Sequence, residues 1–331
     1  MCGIVGYLGK KEALPILING LQRLEYRGYD SAGIALVDKG QIKRVRAVGK
    51  IDNLAEKLKQ EKISGQAGIA HTRWATHGGV TEANAHPHTD CTGKIVLAHN
   101  GIIENYRELK IELGDKHKYL SETDTEVLAH LIESLYKGDL RLAVQSALLK
   151  VRGTYGLVVM HADHPNTIIA ARLGSPLVVG VGDPSSSSGQ AEYFVGSDAT
   201  PMLAYTKKVI FLEDGEIAEI NLAGMQTFNL RNQGVVKCVE EIDWDEGQAQ
   251  LNGFPHFMLK EIYDQPTVFK DAVRGRIDKD EGTAHLGGLN MTEAQMREVN
   301  RIILIACGTA SYAALIGKYA FERLAGIPTE V

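Results

Sequence analysis

The chain has 331 residues, 44% hydrophobic and 23% charged, and its 36 Lys and Arg against 41 Asp and Glu leave a formal net charge of -5. That is globular composition, long enough for about two domains. The mild acidity, with no basic run or stripe, argues against nucleic acid and anionic membrane as partners and favours small polar substrates.

At the N-terminus, MCGIVGYLGKKE has no basic n-region and too short an apolar run for a signal core. No later stretch approaches a membrane span, so a cytoplasmic location is expected. Cys2, Cys91, Cys238 and Cys307 show neither a C-x-x-C pair nor disulfide-like spacing, which fits a reducing compartment.

From residue 3 to about 230, the runs GIVGYLG, AGIALVD, KIVLAHNG, YGLVVMH, PLVVGVG and KVIFLEDGEIAEI read as strands between turns and helices, an α+β pattern. Leu14, Leu17, Leu21 and Leu24 form one helical stripe, and Val127, Leu128, Leu131, Ile132 and Leu135 form another. Asp214-Gly215 between two β-like runs predicts a two-residue hairpin with positive φ at both turn positions. The Ser-rich segment 183 to 192 reads as a surface loop, and EEIDWDEGQAQLNG (240 to 253) as a domain boundary.

Beyond that boundary the expected order is helix (256 to 274), helix (292 to 299), strand RIILIACG and helix SYAALIGKYAFERLAG, with Gly326 as its stop. One strand and one following helix lack the returning strand of a βαβ unit, so this second unit is expected to be a fragment of a domain. Its Gly-Thr-containing turn offers NH groups and the hydroxyls of Thr309 and Ser311 to a phosphate, or is a plain strand-to-helix turn.

Cys2 has two readings. It is a small apolar residue opening a strand, or, once Met1 is removed, a thiol and a free α-amine on one residue. Thiols titrate near ~8.5 and α-amines near ~7.7 to 8.0, so the amine can take the thiol proton. Asn100-Gly101 is either a tight turn or a pair of oxyanion donors worth roughly 3 kcal/mol each. Arg73 has the planar fork that suits a carboxylate. Thr123 or Asp124 directly precedes the Val127 stripe, the usual place of a helix N-cap. His71, His77, His86, His88 and His99 invite a zinc reading, but no Cys pair, acidic ligand run or H-E-x-x-H accompanies them, so structural histidines and no metal are expected.

The segments EYRGYDSAGIA (25 to 35), HTRWATHG (71 to 78) with NAHPH (84 to 88), and HNGIIEN (99 to 105) with SETDTE (121 to 126) follow the chain order of the N-terminal-nucleophile, class II glutaminase family. With FPHFMLKEIYDQP (254 to 266), EYRGYDSAG is similar to the glucosamine-6-phosphate synthase branch, and the resemblance covers essentially the whole chain. It implies a four-layer αββα domain over residues 2 to 240, a linker at 241 to 255 and, over 256 to 331, the start of a flavodoxin-like sugar-isomerase domain. It implies Cys2 as nucleophile, Asn100 and Gly101 as oxyanion hole, and Arg73, Trp74, Thr76, His77 and Asp124 as the glutamine site, with Asp124 facing the substrate ammonium. Trp74 would belong to a loop that covers glutamine, or is an ordinary core aromatic.

The same resemblance implies fructose 6-phosphate as acceptor in a full-length homodimer, with no cofactor. Ala310 departs from the family's Cys-Gly-Thr-Ser wording at this loop. Two rivals remain at this point: another ammonia donor, such as phosphoribosyl-pyrophosphate amidotransferase or asparagine synthetase, and a non-catalytic amino-acid-binding module.

Overall fold

A computed structural model describes residues 2–182, 192–242, 253–273, 277–278, 282–284 and 291–331. Most of the expected Ser-rich loop and of the expected linker lies outside them. Contacts divide the chain into Met1–Phe257 and Met258–Val331.

In the first unit, strands β1 (Gly3–Leu8), β2 (Ser31–Asp38), β3 (Gln41–Val48) and β4 (Ala67–Arg73) join β9 (Val178–Val181), β10 (Tyr193–Gly196), β11 (Lys208–Phe211) and β15 (Glu240–Glu241) in one sheet. Its order is β15-β11-β9-β10-β1-β4-β2-β3. The second sheet holds β5 (His88–Thr89), β6 (Ile95–Ile103), β7 (Gly153–His161), β8 (His164–Leu173), β12 (Glu216–Asn221), β13 (Gly224–Asn229) and β14 (Gly234–Val235). It is ordered β14-β13-β12-β8-β7-β6-β5, and neighbouring strands in both sheets are antiparallel.

Three apolar cores separate four layers. Ile4 and Leu8 of β1 meet Val96, Ala98, Val158 and Met160 between the sheets. Val5 and Tyr7 point the other way, against Leu17 and Leu21 of α1 (Ala13–Arg23) and near Leu54 of α2 (Ile51–Glu61). On the far side, Leu157 and Val159 of β7 pack against Leu128, Leu131 and Ile132 of α4 (Asp124–Leu135) and Val144 of α5 (Leu140–Leu148). A shorter helix, α3 (Tyr106–Leu113), adds Leu109 to that core. Strands buried on both faces read as continuous apolar runs, and each fully buried large side chain contributes about 1.5–3 kcal/mol. The layers are α, β, β, α, as expected.

The hairpin expected at Asp214-Gly215 does not form. β11 belongs to the first sheet and β12 to the second, so the turn carries the chain between sheets. Only Gly215 of the pair has positive φ, at 84°. The turn is fixed to β8 instead: Gly215 N donates to Arg172 O at 2.7 Å, and Asp214 Oδ1 accepts from Gly174 N at 3.0 Å and Arg172 Nε at 3.1 Å.

In the second unit the expected helices fall at Phe257–Val273, Glu293–Arg297 and Thr309–Ala320, and Gly326 ends the last with φ 66° after the turn Phe321–Ala325. The strand RIILIACG shortens to Ile302–Ile303. The returning strand missing from the sequence reading is present as Thr329–Glu330, paired parallel to it. Ile305, Ile316 and Leu324 are exposed there. Among the described residues, no helix is long and apolar enough to cross a membrane.

Candidate active site

The register of the first sheet brings the expected residues to one place. β1 pairs with β4 so that Gly3 faces Thr72, and β2 pairs with β4 so that Ser31 faces Arg73. Cys2, at the head of β1, therefore lies beside the end of β4. Trp74 N donates to Cys2 Sγ at 3.2 Å, and Sγ lies 3.6 Å from Trp74 O. Burial raises the thiol pKa, the Trp74 amide lowers it, Asp30 raises it and Arg73 lowers it; the net shift is upward. The resting sulfur is a thiol and requires a base to become a nucleophile.

Cys2, Arg73, Trp74, Thr76, His77, Gly101 and Asp124 line one narrow cleft, with His86, His99, Thr123 and Thr125. Arg73 is buried and holds the following loop, donating from Nη1 to Gly79 O at 3.1 Å and from Nη2 to the carbonyls of His77 and Gly78. Thr76 Oγ1 lies 3.4 Å from His77 Nδ1, and the His77 ring meets Tyr106 edge-on. Trp74 is 55% exposed, so it is no core aromatic. A Cβ on Gly28 would lie 2.8 Å from its Cζ3, so glycine there lets the ring settle against the backbone.

Asn100 and Gly101 do not form a turn. They lie within β6, opposite Gly156 and Tyr155 of β7. Asn100 Nδ2 donates to Cys2 O at 3.3 Å across the two sheets, while its Oδ1 lies 3.0 Å from His71 Nε2. Gly101 has φ 132°, and a Cβ there would stand 2.1 Å from Thr154 O. No other residue fits that strand position without moving β7.

The two readings of Thr123 and Asp124 separate. Thr123 is the N-cap of α4, its Oγ1 accepting from Glu126 N at 3.3 Å. Asp124 is the first helical residue, and its Oδ2 accepts from Ile103 N at 2.7 Å. A buried carboxylate at a helix N-terminus is favoured by the helix dipole. Asp124 thus brings a carboxylate to the cleft that Arg73 also lines.

The clustered histidines are a hydrogen-bonded and stacked group. Burial lowers the His71 pKa to about 3 and also lowers those of His86, His88 and His99. His71 stacks on His86 at 4.2 Å, His88 Nε2 meets Thr123 Oγ1 at 3.1 Å, and His99 Nδ1 meets Thr125 Oγ1 at 3.0 Å.

Asp30 carried no expected role, yet it braces the site. Its Oδ2 accepts from Ala75 N and its Oδ1 from Ser31 Oγ at 2.9 Å, while its own N–H donates to Arg73 O at 2.7 Å. Its charge reaches Cys2 through the β2–β4 pairing, 45 residues from Ala75 in sequence. Local spacing carries no signal of this. Thr309 and Ser311 lie in the second unit on the first turn of a helix after Gly308, where Ser311 Oγ donates to Gly308 O at 2.7 Å.

A cysteine at the head of a central strand, two face-packed antiparallel sheets and two helical layers define the class: a glutamine amidotransferase fold of the N-terminal-nucleophile type. Comparison with solved structures agrees. The chain superposes on glutamine phosphoribosylpyrophosphate amidotransferase from B. subtilis with a TM-score of 0.58 and 28% identity, over 69% of this chain and 49% of the other. A second structure, titled the allosteric regulatory enzyme of purine biosynthesis, matches at TM-score 0.58 and 29% identity over the same shares. Residues 57–242 match the model of the glutamine amidotransferase domain, and the chain belongs to that family.

Among curated relatives, the whole chain is 50% identical to a glutamine–fructose-6-phosphate aminotransferase (isomerizing) of Thermus thermophilus, spanning 53% of it. It is 46% identical to enzymes of the same name from Symbiobacterium thermophilum and Chlorobaculum tepidum, of which it spans 53% and 54%. The chain thus covers about half the length of these relatives.

Proposed function

We propose that the chain hydrolyses glutamine at Cys2 and that, in the whole protein, the released ammonia converts fructose 6-phosphate to glucosamine 6-phosphate. The observation that carries this is the position of Cys2 Sγ, 3.2 Å from the Trp74 amide on the wall of a cleft shared with Arg73, Gly101 and Asp124.

Glutamine presents a carboxylate, an ammonium and a neutral amide. In this reading Arg73 answers the first, Asp124 the second, and Trp74, Thr76 and His77 close over the substrate. With Met1 removed, the α-amine of Cys2 takes the thiol proton as sulfur bonds to the amide carbon. Asn100 and Gly101 hold the oxyanion. The C–N bond then breaks, ammonia leaves with that proton, and water cleaves the thioester to give glutamate and the free thiol.

Residues 2 to 240 would form the glutaminase domain, 241 to 255 the linker and 256 to 331 the start of the sugar-isomerase domain. Thr309 and Ser311 would meet the sugar phosphate. The exposed Ile305, Ile316 and Leu324 suit further layers of such a domain, and the family resemblance adds a cytoplasmic homodimer to this reading. Purified protein with Met1 removed should release glutamate from glutamine, and Cys2→Ala should abolish the release while keeping the melting temperature. Undiminished glutamate release by Cys2→Ala would overturn the mechanism.

A further inference from the structure

Away from the Cys2 cleft, Cys91, His117, His130 and Glu133 bring one ligand atom each within 4.8 Å of one another. Three elements meet there: the turn between β5 and β6, the segment after α3, and α4, on which His130 and Glu133 share a face at i, i+3. Cys91 Sγ lies 3.4 Å from His130 Nδ1 and 3.7 Å from His117 Nδ1. Glu133 Oε2 lies 3.1 Å from His117 Nδ1 and 3.2 Å from His130 Nδ1. Ligands at zinc's usual bond lengths stand about 3.3–3.8 Å apart along the edges of a tetrahedron. These four separations are close to those edges. We propose that the four residues form a zinc site of the closed, structural kind.

The donor set suits that ion. One sulfur, two imidazole nitrogens and one carboxylate oxygen are borderline ligands that calcium or magnesium would not select. Both imidazoles turn Nδ1 toward the same carboxylate oxygen, so each Nδ1 must carry either a proton or a metal. The surroundings match a coordinated state. His130 is fully buried, and its other nitrogen, Nε2, has no hydrogen-bond partner and lies 3.9 Å from Glu126 Oε1. Glu126 is itself held by Leu120 N at 2.8 Å and Ser121 Oγ at 2.7 Å. A carboxylate behind the far nitrogen of a ligating histidine is the common outer support of zinc sites. Lys118 N donates to Cys91 Sγ at 3.2 Å, an outer hydrogen bond that orients the sulfur toward the two imidazoles.

Binding would release the Cys91 thiol proton to solvent, place sulfur on the metal and leave both imidazoles neutral. The bound ion would fasten the β5–β6 turn and the segment leading to Ser121–Thr123 onto α4, about 9 Å along the helix from Asp124 at 1.5 Å per residue. This inference is independent of glutamine chemistry.

The test uses the tag-free, reduced chain stripped with a chelator and titrated with Co²⁺ as spectroscopic probe. A near-ultraviolet thiolate-to-cobalt band and strong visible d–d bands should saturate at one Co²⁺ per chain and be displaced by Zn²⁺. Cys91→Ser should lose the thiolate band, and Glu126→Gln should weaken Zn²⁺ binding about 10–100-fold. If Cys91→Ser does not fold, His117→Ala on the half-buried segment serves instead, with at least a tenfold loss of Zn²⁺ affinity expected. Absence of the thiolate band in wild type, its persistence in Cys91→Ser, or unchanged affinity in His117→Ala would each overturn the assignment.

Discussion

His71 Nε2 and Asn100 Oδ1 stand 3.0 Å apart with both side chains buried, one on each sheet. His71 is held neutral by burial, so it donates from Nε2 and leaves Nδ1 unprotonated. That bond fixes which way the Asn100 amide faces: Oδ1 toward the histidine and Nδ2 toward Cys2, whose carbonyl it meets at 3.3 Å. The proposed oxyanion donor is therefore set before substrate arrives.

It follows that Asn100→Ala should lower kcat for glutamine hydrolysis by about 10²–10³-fold with little change in KM, the signature of a donor used in the transition state. His71→Ala should lower kcat by a smaller factor, because Asn100 remains but is no longer oriented. Steady-state glutaminase kinetics check both. A fall in kcat accompanied by a large rise in KM would point to general damage at the site.

Arg73→Lys keeps the charge and loses the fork. Because Arg73 also secures the carbonyls of His77, Gly78 and Gly79, the variant should loosen the loop as well. KM for glutamine should rise at least tenfold, and a glutamine analogue lacking the α-carboxylate should lose discrimination between variant and wild type. Initial rates with the two substrates measure this.

Stability should fall in mild acid. His71, His86, His88 and His99 have folded pKa values below the usual histidine range because they are buried. Below about 6.5 the unfolded chain therefore binds protons that the folded chain refuses. Each such histidine removes about 1.4 kcal/mol of stability per pH unit from there downward, a loss that continues toward about 3 for His71. In the metal-free chain His130 acts in the opposite sense: burial lowers its pKa, but Glu126 and Glu133 raise it above the usual value. Denaturant unfolding at pH 7 and pH 5 should show the net loss, and His88→Gln should flatten the slope by about one proton.

The residues of the candidate site sit in short, specific words, and their proposed roles come from the family resemblance those words carry. HTRWATHG carries Arg73 to His77, HNG carries Asn100 and Gly101, and SETDTE carries Asp124. The apolar runs gave the α+β pattern, and the four-layer arrangement came from the family resemblance that those words carry. Asp30 was invisible because its partner Ala75 comes near only through the β2–β4 register. The cluster of Cys91, His117, His130 and Glu133 was equally hidden, since only His130 and Glu133 are close in sequence. Asp214-Gly215 was misread because one glycine with positive φ serves a turn between sheets as well as a hairpin. The short strand Thr329–Glu330 has too few residues to show a period.

Cys2, at the head of β1, is the residue on which the proposed chemistry depends. The most direct measurement is intact and peptide mass analysis after incubation with a glutamine-like electrophile. The expected result is loss of Met1 and one stoichiometric adduct on Cys2, blocked by excess glutamine. Retention of Met1, or an adduct shared among Cys91, Cys238 and Cys307 and indifferent to glutamine, would contradict it.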